Sequence, residues 1–449
     1  MSKNLINYCL LGLGLWLGAC TTTQPISRKA SKTLDELIVQ SPVFSKSFTG
    51  FMLYDPANQT TLYQQNEAKY FTPASNTKIF TLYTALQFLQ DSLPLINYTL
   101  KGDSLFFWGT GNPAFLHHDI PQNQLVFSFL KAHQGPLFFS DHNFQEKHYG
   151  PGWAWDDYNY AYQAERSPFP IYGNIIRFQR EAQTQAPNSF SVTPTYFQPQ
   201  LELNETLGNR SPYFKRAQNA NTFQYNPIAL TDSTYIIEKP YKTSTDLVVQ
   251  LLGDTLGRKI TALSLDTAAI TTQQTLSTPF PDTIYQRLMK DSDNFIAEQL
   301  LLLCADKQLG FIQSDALIKL AQQTLFKEAP DQLLWYDGSG LTRYNMFTPR
   351  TVVFVLEKLL AAKSKEWLFS IFPGGGQAGT ISNWYGSDGQ PYIFAKTGTL
   401  RNKHCLSGYL VTKSGRLLIF SFMHNNFPTG SSPLKVEMAK VLEWIRGNL

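Results

Sequence analysis

Three short polar motifs, set far apart in a chain of 449 residues, constrain the fold of this protein more than any other feature. They are Ser75-Asn76-Thr77-Lys78, Ser292-Asp293-Asn294 and Lys396-Thr397-Gly398-Thr399. The first opens a helical pattern, the second separates two helical patterns, and the third ends a strand pattern. Each motif alone occurs by chance in many long chains, but their order and local settings together indicate one shared site. The fold must therefore bring three distant segments together.

The first motif pairs a hydroxyl with an amine. A serine hydroxyl is a poor nucleophile and needs a base within hydrogen-bond reach. Residues three apart share one face of a helix, so Lys78 is predicted to lie beside Ser75. For Lys78 to accept a proton near neutral pH, its pKa must fall well below its ordinary value. Burial, the helix N-terminus and a second cation, Lys396, all act in that direction.

The second motif supplies a proton relay. The hydroxyl of Ser292 is suited to pass a proton toward a leaving amine, and the amide of Asn294 is suited to hold both the substrate and Lys78. In isolation the same residues would make a simple turn between helices, since Ser, Asp and Asn all favour caps.

The third motif is predicted to form a peptide-binding strand edge. Lys396, Thr397 and Thr399 line that edge, where a peptide can add as an extra strand and place its terminal carboxylate against hydroxyls and a positive charge. The backbone N–H groups of Ser75 and Thr399 are predicted to bind the oxyanion, and Gly398 is predicted to leave room for the substrate.

Composition places the chain among folded globular proteins. Its 43% hydrophobic and 16% charged residues exclude a disordered chain and a bundle of membrane helices. A formal charge of +4, with no dense basic run, argues against nucleic-acid binding. The length predicts two or three domains.

The pattern of apolar, aromatic and turn-forming residues changes along the chain. Between 96 and 269, short aromatic runs such as 104–108 and 125–129 are punctuated by Gly, Pro and Asn, and this interval is predicted to be one or two β-rich modules. Helical patterns return at 283–290 and 295–305. Strand patterns follow at 392–396, 406–412 and 416–423, and an amphipathic helix is predicted at 433–445.

The N-terminus predicts export and a lipid anchor. Lys3 precedes a short apolar run, and the run ends in small residues directly before Cys20, the pattern of a bacterial lipoprotein signal. Residues 1–20 are predicted to be this signal and 21–33 a tether to the folded part. The alternative is a plain cleaved signal with an incidental cysteine. Cys304 and Cys405 then remain, and their pairing is left open by the sequence.

No metal or organic cofactor is predicted. The histidines at 117, 118, 142 and 148 lack a recognised ligand spacing, and no cysteine lies near them. They are predicted to be structural.

Taken together, the three motifs resemble those of the serine penicillin-recognising enzymes. More of the chain resembles one branch, the penicillin-binding-protein-four type of D-alanyl-D-alanine carboxypeptidase/endopeptidase, which carries extra domains between the first two motifs. Ser75 and Ser292 are 217 positions apart (292 − 75). The further stretches that carry the resemblance are 109–113 (Gly-Thr-Gly-Asn-Pro), 152–157 (Gly-Trp-Ala-Trp-Asp-Asp), 337–341 (Asp-Gly-Ser-Gly-Leu) and 379–380 (Gly-Thr).

This resemblance implies an α/β (α+β) transpeptidase-like or β-lactamase-like domain built from 34–95 and 270–449, with a central antiparallel sheet flanked by helices and with 96–269 inserted. It implies hydrolysis of peptidoglycan peptides ending in D-Ala-D-Ala, or of crosslinks, through an acyl-enzyme on Ser75 that β-lactams block. The predicted location is a bacterial membrane facing the periplasm or cell wall, the outer membrane where the cell has one. The 337–340 loop is either a simple tight loop or the border of the cleft, and the 153–157 stretch is predicted to be a structural corner.

Two alternatives remain at this point. A serine β-lactamase would use the same acylation groups together with a deacylating carboxylate, for which Glu298 and Glu165 are candidates. A catalytically silent, wall-binding lipoprotein is the non-enzymatic alternative.

Overall fold

A computed structural model describes residues 26–120, 124–181, 190–208, 213–226, 234–265, 272–387 and 389–449. The predicted signal peptide, Cys20 and the first part of the predicted tether lie outside the described residues. Within the described ranges, no helix is both long enough and apolar enough to cross a membrane.

Short 3₁₀ turns lie between many of the helices and strands. The helices are α1 (Arg28–Ile38), α2 (Thr77–Leu89), α3 (Leu125–Ala132), α4 (Thr245–Leu256), α5 (Asp282–Gln286), α6 (Asn294–Leu309), α7 (Ser314–Thr324), α8 (Pro349–Ala362), α9 (Lys365–Ile371) and α10 (Ser432–Asn448). The strands are β1 (Phe48–Asp55), β2 (Thr60–Gln65), β3 (Ser92–Lys101), β4 (Ser104–Gly109), β5 (Leu137–Ser140), β6 (Ile175–Arg180), β7 (Ser191–Thr193), β8 (Leu201–Leu203), β9 (Tyr213–Arg216), β10 (Phe223–Asn226), β11 (Tyr235–Pro240), β12 (Thr261–Ala262), β13 (Gln274–Pro279), β14 (Gly386–Ser387), β15 (Gln390–Pro391), β16 (Ile393–Leu400), β17 (Lys403–Val411) and β18 (Leu417–Asn425).

The central sheet has five antiparallel strands in the order β16-β17-β18-β1-β2. One face, which includes Phe51, Leu406 and Phe422, packs in a core shared with α1 and α10. The other face contributes Tyr409 and Met423 to a larger core with α2, α6 and α8. A sheet that is apolar on both faces must be covered by helices on both sides. The predicted class, an antiparallel sheet flanked by helices, is confirmed.

Helices α2 and α6 lie side by side in the interior. Residues 295–306 of α6 are all buried, and so are residues 77–86 of α2. Helices that are buried on every side lack the polar face of a surface helix, and this explains why apolar residues occur on every turn of both helices. Cys304 of α6 and Cys405 of β17 are buried free thiols, which answers the question that the sequence left open.

A second five-stranded sheet follows the order β12-β5-β4-β3-β13. Strand β3 pairs antiparallel with β13, so residues that precede and follow the long interval meet in one sheet. Two three-stranded sheets, β11-β6-β7 and β8-β10-β9, stand within the interval. The boundary predicted between residues 95 and 96 falls inside β3, and the apolar core is continuous across it. The division into 34–95, 96–269 and 270–449 stays a prediction.

One run in the interval differs from the predicted strand texture. Residues 125–129 belong to helix α3, which buries Val126 and Leu130 at a spacing of four. In so short a run, alternating bulky residues fit a strand and a helix equally well, and packing decides between them. Helix α4 also lies in the interval, with Ser244 capping its start and Gly257 in the left-handed region at its end.

Candidate active site

Ser75 lies in a tight 3₁₀ turn, Ala74–Asn76, directly before α2 rather than in the helix itself. Ala74 has a φ of 48°, which is unusual for a residue with a side chain. Gly340 permits this turn, because a Cβ atom at 340 would lie 1.9 Å from the carbonyl oxygen of Ala74. Two segments more than 250 residues apart in sequence therefore shape the backbone at Ser75.

Lys78 stands in the first turn of α2 and is completely buried. Its Nζ donates to Ser75 Oγ at 3.1 Å, to Asn294 Oδ1 at 2.6 Å and to the carbonyl oxygen of Ser339 at 2.7 Å. The predicted proximity of amine and hydroxyl is therefore present, and it joins the first motif to the second.

The pKa of Lys78 falls to about 8 because the amine is buried, although Asp337, Asp293 and Glu298 act in the opposite direction. The pKa of Lys396 lies well below its ordinary value, first through burial and then through repulsion from Lys78. The lowered pKa of Lys78 agrees with the requirement that the base at this site lose its proton near neutral pH.

Ser292 sits between a π-helical turn, Arg287–Asp291, and the start of α6. Its backbone is left-handed, with φ 58° and ψ 36°. Its Oγ accepts a hydrogen bond from Lys396 Nζ at 2.8 Å, which joins the second motif to the third. Asn294 Nδ2 donates to the carbonyl oxygen of Tyr162 at 3.0 Å, so the aromatic loop around Tyr162 borders the site.

Lys396 is completely buried in the middle of β16, which continues to Leu400 instead of ending at the motif. Strand β16 is the outer strand of the central sheet. Ala395 N donates to the carbonyl oxygen of Pro373 on the side away from β17. Because alternate residues of an antiparallel strand face the same side, the N–H groups of Thr397 and Thr399 point to that same edge, beyond the part that is bonded to Pro373 and Gly375.

Gly398 packs directly against the turn that carries Ser75. A Cβ atom at 398 would lie 2.3 Å from the carbonyl oxygen of Pro73 and 3.0 Å from the backbone nitrogen of Ser75. The missing side chain therefore lets the edge strand approach this turn, and the predicted clearance for the substrate stays a prediction.

The sequence patterns assigned no role in the site to Thr380 and His404, which bond two predicted site residues. Thr397 Oγ1 donates to Thr380 Oγ1 at 2.7 Å, and Thr399 Oγ1 lies 2.9 Å from Nδ1 of buried His404. A two-residue turn between β16 and β17 places His404 directly opposite Thr399, so a hairpin register would have found this pair. Burial is the main reason that the pKa of His404 falls to about 3, so the imidazole is neutral.

Asn76 was also missed. Its side chain is completely buried; Nδ2 donates to the carbonyl oxygen of Lys396 at 2.7 Å, and Oδ1 accepts from Ser407 Oγ at 2.8 Å. No local pattern announces these contacts, since the partners are more than 300 residues away in sequence.

The 337–340 loop borders the site through Ser339, whose carbonyl oxygen accepts from Lys78. The buried carboxylate of Asp337 organises this loop by accepting the N–H groups of Gly340 at 2.9 Å and Thr342 at 2.7 Å. Trp153 Nε1 donates to the same carboxylate at 3.0 Å, a structural contact of the kind predicted for the 153–157 stretch.

Both glutamates considered as deacylating groups are bound by the protein itself. Glu298 Oε1 accepts from Ser339 N at 2.7 Å, and burial followed by repulsion from Asp337 raises its pKa to about 7. Glu165 Oε2 accepts from Thr243 N at 2.7 Å. Among the residues that the structure describes, no three His, Cys, Asp or Glu side chains form a group able to hold a metal ion.

Fold and site together define a penicillin-recognising serine peptidase. The chain belongs to the D-Ala-D-Ala carboxypeptidase 3 (S13) family, whose model matches residues 30–446. The predicted family and enzyme class are thereby confirmed.

Curated relatives agree with this assignment. The chain is 24% identical to D-alanyl-D-alanine carboxypeptidase DacB of Haemophilus influenzae over 89% of its length and 90% of the relative. It is also 24% identical to a D-alanyl-D-alanine carboxypeptidase of Actinomadura sp., over 90% of this chain and 82% of that one.

Solved structures show the same fold. The crystal structure of penicillin binding protein 4 (dacB) from Haemophilus influenzae matches with a TM-score of 0.72 and 20% identity, over 93% of this chain and 99% of that chain. A structure of the same protein complexed with a β-lactam matches with a TM-score of 0.63 and 19% identity, over 92% and 98% of the two chains.

Proposed function

We propose that this chain hydrolyses the bond between two D-alanines in peptidoglycan stem peptides, or the equivalent bond of a crosslink, through an acyl-enzyme on Ser75. The observation that carries the proposal is the 3.1 Å contact between Ser75 Oγ and the buried amine of Lys78, whose pKa is lowered to about 8. A hydroxyl beside a base of this kind is an activated nucleophile.

In the proposed acylation, Ser75 Oγ attacks the carbonyl carbon while its proton passes to the neutral amine of Lys78. The backbone N–H groups of Ser75 and Thr399 bind the resulting oxyanion. The C–N bond then breaks, and the proton that Lys78 took from Ser75 passes through the hydroxyl of Ser292 to the leaving amine, which returns Lys78 to its neutral form. Water next attacks the ester, its proton returns through Lys78, and Ser75 regains its hydroxyl as the acid product leaves.

The substrate is proposed to lie along the open edge of β16 as an added strand. Its terminal carboxylate would meet the paired hydroxyls of Thr397 and Thr380 and the positive potential of Lys396. Asn294 keeps Lys78 in place and borders the substrate amide. No part of this scheme uses a metal or an organic cofactor.

β-Lactams are proposed to acylate Ser75 by the same route. The related protein crystallised with a β-lactam supports this expectation. Because the leaving nitrogen of an opened β-lactam stays attached to the acyl group, it blocks the approach of water and the adduct persists.

The decisive experiment is intact mass measurement of the detergent-solubilised chain after incubation with benzylpenicillin, beside the Ser75→Ala variant. We expect a single persistent penicilloyl adduct on the native chain and none on the variant, together with release of D-alanine from a peptide ending in D-Ala-D-Ala. Rapid destruction of the drug without a lasting adduct would indicate a β-lactamase. Intact drug and no adduct would indicate a silent scaffold.

We further propose that Cys20 carries the lipid that anchors the chain to a membrane, with the folded part facing the periplasm or cell wall. The sequence before Cys20 supports this, and two or three acyl chains anchor stably because each buried methylene contributes about 0.8 kcal/mol. Cys20→Ala should abolish incorporation of labelled palmitate and move the chain out of the membrane fraction. Labelling that persists in the variant would contradict the anchor.

A further inference from the structure

The loop that carries Ser292 and Asn294 links the π-helical turn to α6. It borders a cavity of 210 Å³ whose lining includes Asp119, Arg287, Ser292 and Asn294. Ser292 is also in the left-handed region, a conformation that a residue with a side chain keeps only when its surroundings enforce it. Lys396 and Lys78 bond the two functional side chains, and a further polar interaction fixes the backbone that carries them.

Arg287 supplies that interaction on the near side. Its carbonyl oxygen accepts the N–H groups of both Ser292 and Asp293. Its guanidinium donates to Asp293 Oδ2 at 3.0 Å, while the other oxygen of Asp293 caps α6 by accepting Ile296 N at 3.0 Å. Arg287 thus forms hydrogen bonds with both the backbone of the loop and the side chain of Asp293.

On the far side, Arg287 reaches a carboxylate of the β-rich interval. Its Nη1 lies 3.4 Å from Asp119, which follows β4. Asp119 is held in turn by Arg177 of β6, through bonds of 2.8 and 2.9 Å, and Arg177 is held by Glu238 of β11 at 2.6 Å. The four side chains of these ion pairs are only 16–35% exposed, so solvent screens the pairs less than it would on an open surface.

The charges alternate in sign from Glu238 through Arg177, Asp119 and Arg287 to Asp293. We propose that Arg287 is a positioning residue which, through Asp119, couples the β-rich interval to the placement of Ser292 and Asn294. The inference rests on the proposed function of those two residues. It assigns to the interval a task in acylation, although neither Arg287 nor Asp119 is placed in contact with the reacting atoms.

The test compares native chain, Asp119→Asn, Arg287→Gln and the double variant. The rate constant of acylation by benzylpenicillin should fall roughly 3- to 30-fold in each single variant. The dissociation constant of the first, non-covalent complex should change less than the acylation rate constant, because the edge of β16 is untouched and only Asn294 of the loop borders the substrate. The double variant should be no slower than Arg287→Gln alone, since both changes break one coupling. Asp119→Glu, which keeps the charge, should stay within about threefold of the native rate.

A matched control separates coupling from general destabilisation. Arg350 lies on α8, away from the loop, and forms a partly buried ion pair with Asp331. Arg350→Gln breaks this pair and should lower the melting temperature without slowing acylation. Equal slowing in Arg350→Gln, native acylation in Asp119→Asn, or additive losses in the double variant would each overturn the coupling.

A second readout does not depend on catalysis. Hydrogen–deuterium exchange of the 292–296 amides should accelerate in Asp119→Asn relative to Arg350→Gln, and unchanged exchange would overturn the inference. If the native chain forms no penicilloyl adduct, the proposed function fails, and the exchange experiment still decides whether Asp119 holds the loop.

Discussion

The side-chain nitrogen of Asn76 lies 2.7 Å from the carbonyl oxygen of Lys396 and donates a hydrogen bond to it. This bond ties the turn that carries Ser75 to the strand that carries the third motif. The side-chain oxygen of Asn76 accepts a hydrogen bond from the hydroxyl of Ser407 on β17. One buried side-chain amide therefore bonds groups on two strands. The relative position of nucleophile and edge strand therefore depends on a residue that takes no chemical part.

Replacing Asn76 with alanine should destabilise the protein and slow acylation. The carbonyl oxygen of Lys396 and the hydroxyl of Ser407 would lose a buried partner, at a cost of about 1–3 kcal/mol in the free energy of unfolding. Urea denaturation measures this loss. Asn219→Ala is the control, because Asn219 is exposed on the turn between β9 and β10, and it should change stability by less than about 0.5 kcal/mol. Equal stability of the two variants would contradict the role assigned to Asn76.

Gly398→Ala should slow acylation of Ser75 by on the order of 100-fold. A methyl group at 398 would lie 2.3 Å from the carbonyl oxygen of Pro73, so either the turn or the strand must shift. A displacement of about 1 Å at a reacting group costs on the order of 100-fold in rate. Stopped-flow acylation by a chromogenic cephalosporin measures the effect. Gly447→Ala on α10 meets no atom within 4 Å and should react like the native chain. A Gly398→Ala variant with the native rate would show that the backbone has room to spare.

The acylation rate should rise with pH and level off above about pH 8. Lys78 can accept the proton of Ser75 only as the neutral amine, and burial lowers its pKa to about 8. The neutral fraction therefore grows as pH rises through that value. Rate constants measured between about pH 6 and pH 10 test this expectation. Lys78→Arg should be inactive at every pH, because the guanidinium stays charged. A native profile that is flat, or that falls with pH, would refute Lys78 as the base.

Glu298→Gln should remove a component of the pH dependence of stability. The folded-state pKa of Glu298, about 7, lies above the ordinary value of 4.5. The folded state thus retains a proton that the unfolded state has released between those values, and the native chain loses stability as pH rises through that window. Each pKa unit corresponds to about 1.4 kcal/mol, so the variant should gain roughly 2–3 kcal/mol relative to the native chain from pH 4.5 to pH 7.5.

Urea titrations at several pH values measure this difference. Gln keeps the acceptor for Ser339 N but loses the ion pair of Glu298 with buried Arg166, so the test lies in how the stability difference changes with pH and not in its size at one pH. Glu366→Gln removes an exposed carboxylate and should show no such trend. A stability difference between Glu298→Gln and the native chain that does not change with pH would show that the buried carboxylate does not titrate in this range.

Local patterns gave much of the fold. The helical repeats after Ser75 and after Asn294 correspond to α2 and α6, because buried helices carry apolar residues at every turn. The turn Ser414-Gly415 correctly separated β17 from β18, since Gly415 takes the positive φ of 82° that such a turn requires. Residues 125–129 could not be assigned in this way, because so short a run, in which four of the five residues are bulky, fits both a strand and a helix.

The groups that can do the chemistry are visible in the local sequence: a serine three residues before a lysine, a serine with an asparagine, and a lysine followed by two threonines around a glycine. Their pairing is visible only in the folded chain, where Lys78 bonds Ser75 and Asn294, and Lys396 bonds Ser292. The contacts of Asn76 and Arg287 that hold these groups likewise depend on the fold. Helix and strand periodicity is set by neighbours a few residues away, whereas pKa shifts and buried hydrogen bonds depend on segments hundreds of residues apart.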